Sequence, residues 1–298
     1  VRSRILRWLF GILLCGVFSL TAQAMTGMIY QPQQRDMKLS DSFWPSVFSD
    51  LRKRGFDTLI VQWTQYGDMF SKGAEKKWLR DRLQDAVAAD LKLVIGLYAD
   101  PDSFSALEMP TDLLEAYFLK NTEKNIALVK EWVTTFTEKS IVGWYLPMEI
   151  DDRRWRAKND QLFLAEQLSR DVRVLKNLSH VPAYITSFFK GHSDVNGYKA
   201  MLDEIKKVSD VRLWIQDGVG AKTLTPAETA LYLETLSMCH DTPIDGLVFE
   251  IFRQIGPDSN FKAESLATNI KEKALLQRAP CNGDNVFFTL RYLTNFGN

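Results

Sequence analysis

Short apolar runs alternate with longer stretches of helical periodicity along almost the whole chain. The runs are GMIYQP (27–32), TLIVQWT (58–64), KLVIGLYAD (92–100), IVGWYLPMEI (141–150), AYITSFF (183–189), VRLWIQDG (211–218), GLVFEIF (246–252) and NVFFTLRYL (285–293). Each is rich in Val, Ile, Leu and aromatics, as expected of strands buried on both faces. Between them the spacing predicts seven helices. In the second, Trp78, Leu79, Leu83, Ala86 and Val87 fall on one face. Another covers 111–136, and a later one has Thr225 as cap and Pro226 in its first turn. Another is read over 264–277. Eight β/α units in this length predict an α/β fold, a (β/α)8 TIM barrel in a single domain over 25–298. A doubly wound sheet alternates in the same way but usually carries a Gly-rich phosphate turn. No G-x-G-x-x-G and no P-loop occur, and Gly218-Val219-Gly220 is too short to count.

The first residues read differently. Arg2, Arg4 and Arg7 precede a short apolar run, and Ala22-Gln23-Ala24 has the small-residue form of a cleavage site. Residues 1–24 are therefore expected to be a secretory signal peptide, with the mature chain starting near Met25. Export follows, to the periplasm first and to secretion as the alternative, without stable membrane insertion. Without the three arginines, 34 basic residues face 37 acidic ones. This balance argues against nucleic acid as a partner. Cys239 and Cys281 remain after cleavage. In an oxidising compartment they are expected to form a disulfide, the alternative being two buried thiols.

Polar side chains collect at the ends of the runs, where barrel enzymes carry their chemistry. They are Gln31; Gln62 and Trp63; Tyr98 and Asp100; Glu149 with Asp151 after it; Gln216 and Asp217; and Glu250. The strand starts are plain by comparison. Period-two alternation puts Glu149 on one face with Tyr145 and Gly143, and Glu250 with Val248 and Gly246. Trp144, Leu146, Leu247 and Phe249 take the opposite faces. Both glutamates are thus expected to point into the barrel mouth, from strands four and seven on opposite sides of the ring. Two opposed carboxyls are what glycosidic cleavage requires, one as proton donor and one as nucleophile or base. Gln31, Gln62, Gln216 and Asp217 are candidate partners of sugar hydroxyls. Trp63, Tyr66, Tyr98, Trp155, Phe188 and Phe189 are candidate stacking surfaces. The plainer alternative pairs each glutamate with an arginine such as Arg153, Arg253 or Arg291. Trp44, Trp78 and Trp132 read as packing, and Trp144 and Trp214 depend on which strand face turns inward. His180, His192 and His240 are scattered, and no metalloprotease or nucleophile-elbow motif occurs. No metal and no cofactor are expected.

GMIYQPQQRD, FDTLIVQWTQYG, GLYADPDSF, GWYLPMEIDD, LWIQDGVG and VFEIF together resemble a bacterial family known as Domain of Unknown Function 4434. The resemblance implies a TIM barrel similar to glycoside hydrolases and names no substrate. A more distant likeness is to the clan of retaining barrel glycosidases, with an acid/base glutamate ending strand four and a nucleophile ending strand seven. Glu149 and Glu250 occupy those places, while Met148 stands where that clan usually has asparagine. The expected activity is hydrolysis of an exported or envelope polysaccharide, with Glu149 as general acid/base and Glu250 as nucleophile. Polysaccharide-export machinery is a candidate partner. The rival readings are a polysaccharide-binding protein without catalysis and an assembly factor of the envelope.

Overall fold

The computed structural model describes residues 24–222, 224–256, 262–294 and 296. Apart from Ala24, the expected signal peptide lies outside the described residues. Eight parallel strands close into a barrel: Thr26–Tyr30, Thr58–Val61, Lys92–Gly96, Ile141–Asp151, Ala183–Phe188, Arg212–Gln216, Gly246–Glu250 and Asp284–Phe288. They are numbered one to eight below. Strand eight pairs with strand one and closes the ring. Helices Phe43–Lys53, Gly73–Ala88, Thr111–Thr135, Lys158–Leu178, Val195–Val208, Pro226–Leu236 and Thr268–Ala274 separate successive strands. The Thr225 cap forms, reciprocated by the Glu228 side chain, with Pro226 opening the helix.

Two boundaries differ from expectation. The last strand stops at Phe288, and Leu290–Leu293 turn into a short helix. Thr289 marks the change, its hydroxyl donating to the Ile29 carbonyl rather than extending the ladder. The helix expected from Glu264 begins at Thr268. Ala263–Ser265 instead pair antiparallel with Phe252–Gln254, a small hairpin above strand seven.

Each strand sends one side chain into a shared layer at the barrel centre. The eight are Ile29, Ile60, Val94, Tyr145, Tyr184, Trp214, Val248 and Val286. Branched aliphatics fill the sector of strands seven to three, and three aromatics fill that of strands four to six. Tyr184 stacks on Trp214 at 4.2 Å between ring centres. The Tyr184 ring fits because Gly143 lacks a side chain: a Cβ there would lie 2.4 Å from its Cε2. Trp214 therefore points inward. Trp144, Leu247 and Phe249 point outward into the layer beneath the helices. Cys239 is bonded to Cys281, joining the segment after helix Pro226–Leu236 to the approach of strand eight.

Strand four carries the irregularity that sets up the mouth. Tyr145 pairs with Tyr184, but the next pairing is Glu149 with Thr186. Two extra residues therefore bulge from strand four around Pro147, which has no N–H to give to the ladder. The Tyr145 hydroxyl spans this step to the Thr186 hydroxyl, 2.8 Å away.

Candidate active site

The carboxyl ends of the strands form the barrel mouth, and three acids from three strands converge there. Glu149 follows the strand-four bulge and is half-buried. The Gln216 amide at the end of strand six donates to Glu149 Oε1 at 3.1 Å. Burial raises the Glu149 pKa, while the Gln216 hydrogen bond and the Lys190 ammonium pull it back.

Glu250 ends strand seven and is buried. Its Oε2 accepts two backbone N–H groups from the loop after strand six, Gly220 at 2.7 Å and Ala221 at 2.9 Å. Asp217, on that loop and equally buried, accepts from the Val219 N–H at 3.1 Å and the Glu250 N–H at 3.3 Å. The segment 217–221 thus fixes Glu250 from its side chain and its backbone together. Burial, and then the Asp217 charge, raise the Glu250 pKa; the two N–H donors lower it, and the Glu149 charge adds a small upward push. Asp217 is raised by its own burial. Two adjacent desolvated carboxyls resist ionising together, so the pair titrates as a unit.

The arginines that could have neutralised these acids are engaged elsewhere. Arg153 pairs with Glu108, Arg253 with Glu264 and Arg291 with Asp36. Among the described residues no ion pair reaches Glu149, Asp217 or Glu250.

The other expected residues divide into groups. Gln31, Gln62 and Trp63 lie just past strands one and two, half-buried at the rim. Gln62 Oε1 is buried without a hydrogen-bond partner among the described residues. The Trp63 indole donates to the Pro32 carbonyl, and its ring lies 5.0 Å from that of Tyr66. Phe188 ends strand five with the Lys190 ammonium 5.1 Å from its ring centre. Tyr98 and Asp100 lie apart from the carboxyls, in a recess beside the strand-four bulge. Tyr145 sits below the mouth in the barrel layer. Asp151 turns into its own loop, accepting the N–H groups of Arg153 and Arg154. Trp155 and Phe189 are buried, Phe189 being stacked on Tyr232 at 4.5 Å, and neither presents a face to the mouth.

The Gly220 and Ala221 amides were missed from the sequence. Backbone donors carry no residue signature. The available signal was Asp-Gly-Val-Gly directly after a strand, a turn too short for the phosphate-binding motif yet one whose amides cradle a carboxylate. The strand starts are also less plain than expected. Asp57, Asp245 and Asp284 gather at the opposite end of the barrel.

Residues 25–272 match the family described as a domain of unknown function, DUF4434. The uncharacterized protein YbcH of Escherichia coli K12 is 35% identical over 286 residues, 96% of this chain and 95% of its own length. Among solved structures, a candidate alpha-L-fucosidase from Bacteroides thetaiotaomicron superposes with a TM-score of 0.63 at 16% identity, covering 90% of this chain and 85% of that one. An endo-1,4-beta-D-mannanase from Thermotoga petrophila superposes with a TM-score of 0.55 at 13% identity, covering 89% and 87%. At such identities the likeness is one of fold: a TIM barrel of the kind that glycoside hydrolases use. Sequence motifs at successive strand ends, the match along most of the chain and the close relative agree, and the chain belongs to the DUF4434 family.

Proposed function

We propose that this protein is a glycoside hydrolase acting on a polysaccharide outside the cytoplasm. The observation that carries the reading is the convergence of Glu149 and Glu250, from strands four and seven, in one mouth with no cation paired to either among the described residues. Glu149 has the character of the acid. Oε1 is held by Gln216, burial favours the protonated form, and Oε2 is left to carry the proton to the departing glycosidic oxygen. Glu250 has the character of the nucleophile. Its Oε2 is fixed by two N–H donors, which leaves Oε1 to attack the anomeric carbon as the glycosidic C–O bond breaks. Glu149, now ionised, then takes a proton from water as that water displaces Glu250. The nucleophilic role of Glu250 requires that the proton shared by this buried pair reside on Asp217. Its Oδ1 accepts both backbone N–H groups, and its Oδ2 is free to bear hydrogen.

Gln62 Oε1 is an acceptor suited to a sugar hydroxyl, and Trp63 supplies an apolar face at the same rim. The structural likeness to a mannanase and a candidate fucosidase supports the class of reaction and not a particular sugar. The Cys239–Cys281 bond suits an oxidising compartment such as the periplasm, and no helix among the described residues is long and apolar enough to cross a membrane. The polymer is one that the cell makes or exports, which makes its export machinery the natural neighbour.

The test is release of reducing ends from galactomannan, xyloglucan, arabinogalactan, chitosan and extracted exopolysaccharide by the wild type, Glu149→Gln and Glu250→Gln. Hydrolysis of one polymer by the wild type, lost in both variants, is expected. No product from any polymer, or product undiminished in Glu250→Gln, refutes the proposal; the first outcome, with binding retained, favours a polysaccharide-binding protein.

A further inference from the structure

The loop after strand five brings to the mouth a lysine that no acid neutralises. Strand five turns Tyr184 into the barrel layer and Thr186 to the Tyr145 hydroxyl. Period two therefore sends Phe188 inward as well. Thr186 is level with Glu149 and Phe188 with Asp151, so the Phe188 ring stands one pleat nearer to solvent than Glu149. The Lys190 ammonium lies over that ring, 5.1 Å from its centre, on a half-buried side chain. Its charge already tells on Glu149. Burial raises that carboxyl's pKa, and Lys190, after the Gln216 hydrogen bond, pulls it back.

The backbone beneath this lysine is fixed. The Lys190 N–H donates to Asp152 Oδ1 at 2.8 Å, while Asp152 Oδ2 takes the His192 and Ser193 N–H groups. Asp152 is fully buried, so one carboxylate out of water ties down the stretch 190–193. Between them Gly191 has φ +77°, and a Cβ there would lie 3.0 Å from the Leu224 side chain. The loop is thus seated against the loop that follows strand six.

The neighbouring acids are committed to other donors. Asp152 holds its three N–H groups. Asp151 accepts from the Arg153 and Arg154 N–H groups, and Asp194 caps its helix through the Gly197 N–H. Glu149 is held by Gln216. Among the described residues none of these acids is in ion-pair contact with Lys190. Elsewhere the chain does pair its half-buried lysines: Lys76 with Glu131, and Lys206 with Asp245. The loop after strand six adds Lys222, exposed and without an ion pair among the described residues. An ammonium over an aromatic face still has N–H donors to offer, and an anion is what they suit. A doubly charged phosphate would be repelled by Glu149 and by the Asp217–Glu250 pair. A singly charged group meets one ammonium with less opposition.

We infer that Lys190 binds a singly charged anionic substituent, a carboxylate or a sulfate half-ester, on a sugar of the polysaccharide held at the mouth. The inference rests on the polysaccharide reading above but not on catalysis. It makes the polymer an acidic one and Lys190 the residue that selects it over neutral chains.

Affinity electrophoresis tests it, with alginate, polygalacturonate, carrageenan, methyl-esterified pectin or galactomannan cast in the gel. Alginate or polygalacturonate should retard the wild type if the group is a carboxylate, and carrageenan if it is a sulfate. The methyl ester, which masks the carboxylates, and galactomannan should retard it less. Lys190→Gln should weaken the retardation by about tenfold, the size of a lost hydrogen bond to a charged group. Lys190→Arg, which keeps the charge, should retain most of it. Lys53→Gln removes an exposed charge from the helix end next to the start of strand two, at the opposite end of the barrel, and should change nothing. Thermal melts establish that the variants are folded. The inference is overturned if no acidic polymer retards the wild type, if galactomannan or the methyl ester retards it as strongly, or if Lys190→Gln migrates as the wild type does. It is overturned equally if Lys53→Gln loses as much as Lys190→Gln. Retardation by an acidic polymer that depends on Lys190, without hydrolysis of any polymer, sinks the hydrolase reading and leaves this one standing. Hydrolysis of a neutral polymer, with no acidic polymer bound, does the reverse.

Discussion

Gly220 is the residue on which the geometry of Glu250 turns, and Gly220→Ala is the sharpest test of it. A Cβ at this position would lie 2.7 Å from the Phe252 carbonyl oxygen and 3.0 Å from both Cβ and Oε2 of Glu250. The carbonyl belongs to the hairpin strand Phe252–Gln254, and the Gln254 N–H in turn donates to the Gly220 carbonyl at 2.9 Å. The two segments are tied together and cannot separate without losing that bond. Glu250 could give way only by leaving the Gly220 and Ala221 amides. Overpacking of this kind costs about 1–3 kcal/mol. For a domain of this size that is a fall in Tm of roughly 2–10 °C, read by calorimetry. Gly218→Ala is the matched control. Gly218 has φ +68°, so alanine there is strained by about 1 kcal/mol, yet its Cβ would come no nearer than 3.8 Å to Phe189 and would not touch Glu250. Both variants should melt earlier, but only Gly220→Ala should lose polysaccharide turnover beyond what its stability explains. Gly220→Ala with wild-type stability and turnover would show that the loop does not clamp Glu250.

Asp217→Asn removes one of two coupled buried acids. Both pKa values are raised on folding, so the folded state holds protons that the unfolded state releases above about pH 4; wild-type stability should fall as pH rises from there through the raised values. Urea melts across that range should show a flatter profile in the variant, and an unchanged slope would rule out the shared proton. Glu149→Gln keeps an acceptor for Gln216 but no acid, and should lower turnover by about 10²–10⁴-fold with little change in Tm. Asp152→Ala strips the acceptors of the Lys190, His192 and Ser193 N–H groups, at 2.8, 2.8 and 2.9 Å in a fully buried setting, and should cost more than about 3 kcal/mol in denaturant titrations. Cys239→Ser with Cys281→Ser opens a crosslink between residues 42 apart, for which the chain-entropy model gives about 4 kcal/mol of lost stability.

The barrel was legible because its strands repeat one physical constraint, burial on both faces, eight times with helices between. The direction of the two glutamates was legible through period two, and the reason it survived the strand-four bulge is specific. The bulge inserts two residues, so Tyr145 and Glu149, four apart, face Tyr184 and Thr186, two apart. Parity is kept; a one-residue bulge would have turned Glu149 into the helical layer while leaving the sequence pattern almost unchanged. Loop conformation was not legible. Trp155 and Phe189 follow strand ends as mouth residues do, but Asp152 gathers the 190–193 backbone inward, and Phe189 folds under it onto Tyr232. Nor could residue types alone announce that the Gly220 and Ala221 amides would hold Glu250.

Both ends of the barrel gather acids, but only the floor gives one of them, Asp245, cationic partners, and this contrast bears on what the mouth is for. At the strand starts Asp245 meets both Lys206 and Arg212 at 2.7 Å, besides the Leu213 N–H. Asp57 caps Thr26 and Thr58, and Asp284 takes the Met25 N–H and the Trp214 indole. Those acids are satisfied by groups that fasten the first strand and the floor of the barrel. At the strand ends the buried Asp217 and Glu250 and the half-buried Glu149 are brought together with amide donors and no ammonium or guanidinium in ion-pair contact among the described residues. A fold under pressure for stability alone would pair or replace them, since adjacent desolvated carboxyls repel and each prefers to be neutral. The chain has lysines and arginines enough to do so, yet even Lys190, whose charge reaches Glu149, forms no ion pair with it among the described residues. Carboxyls kept destabilised at the carboxyl ends of barrel strands are arranged for a partner that arrives from solvent. If that holds, Asp217→Asn should be at least as stable as the wild type at neutral pH while binding or turnover suffers; a variant that lost stability and kept function would assign the three acids to the scaffold.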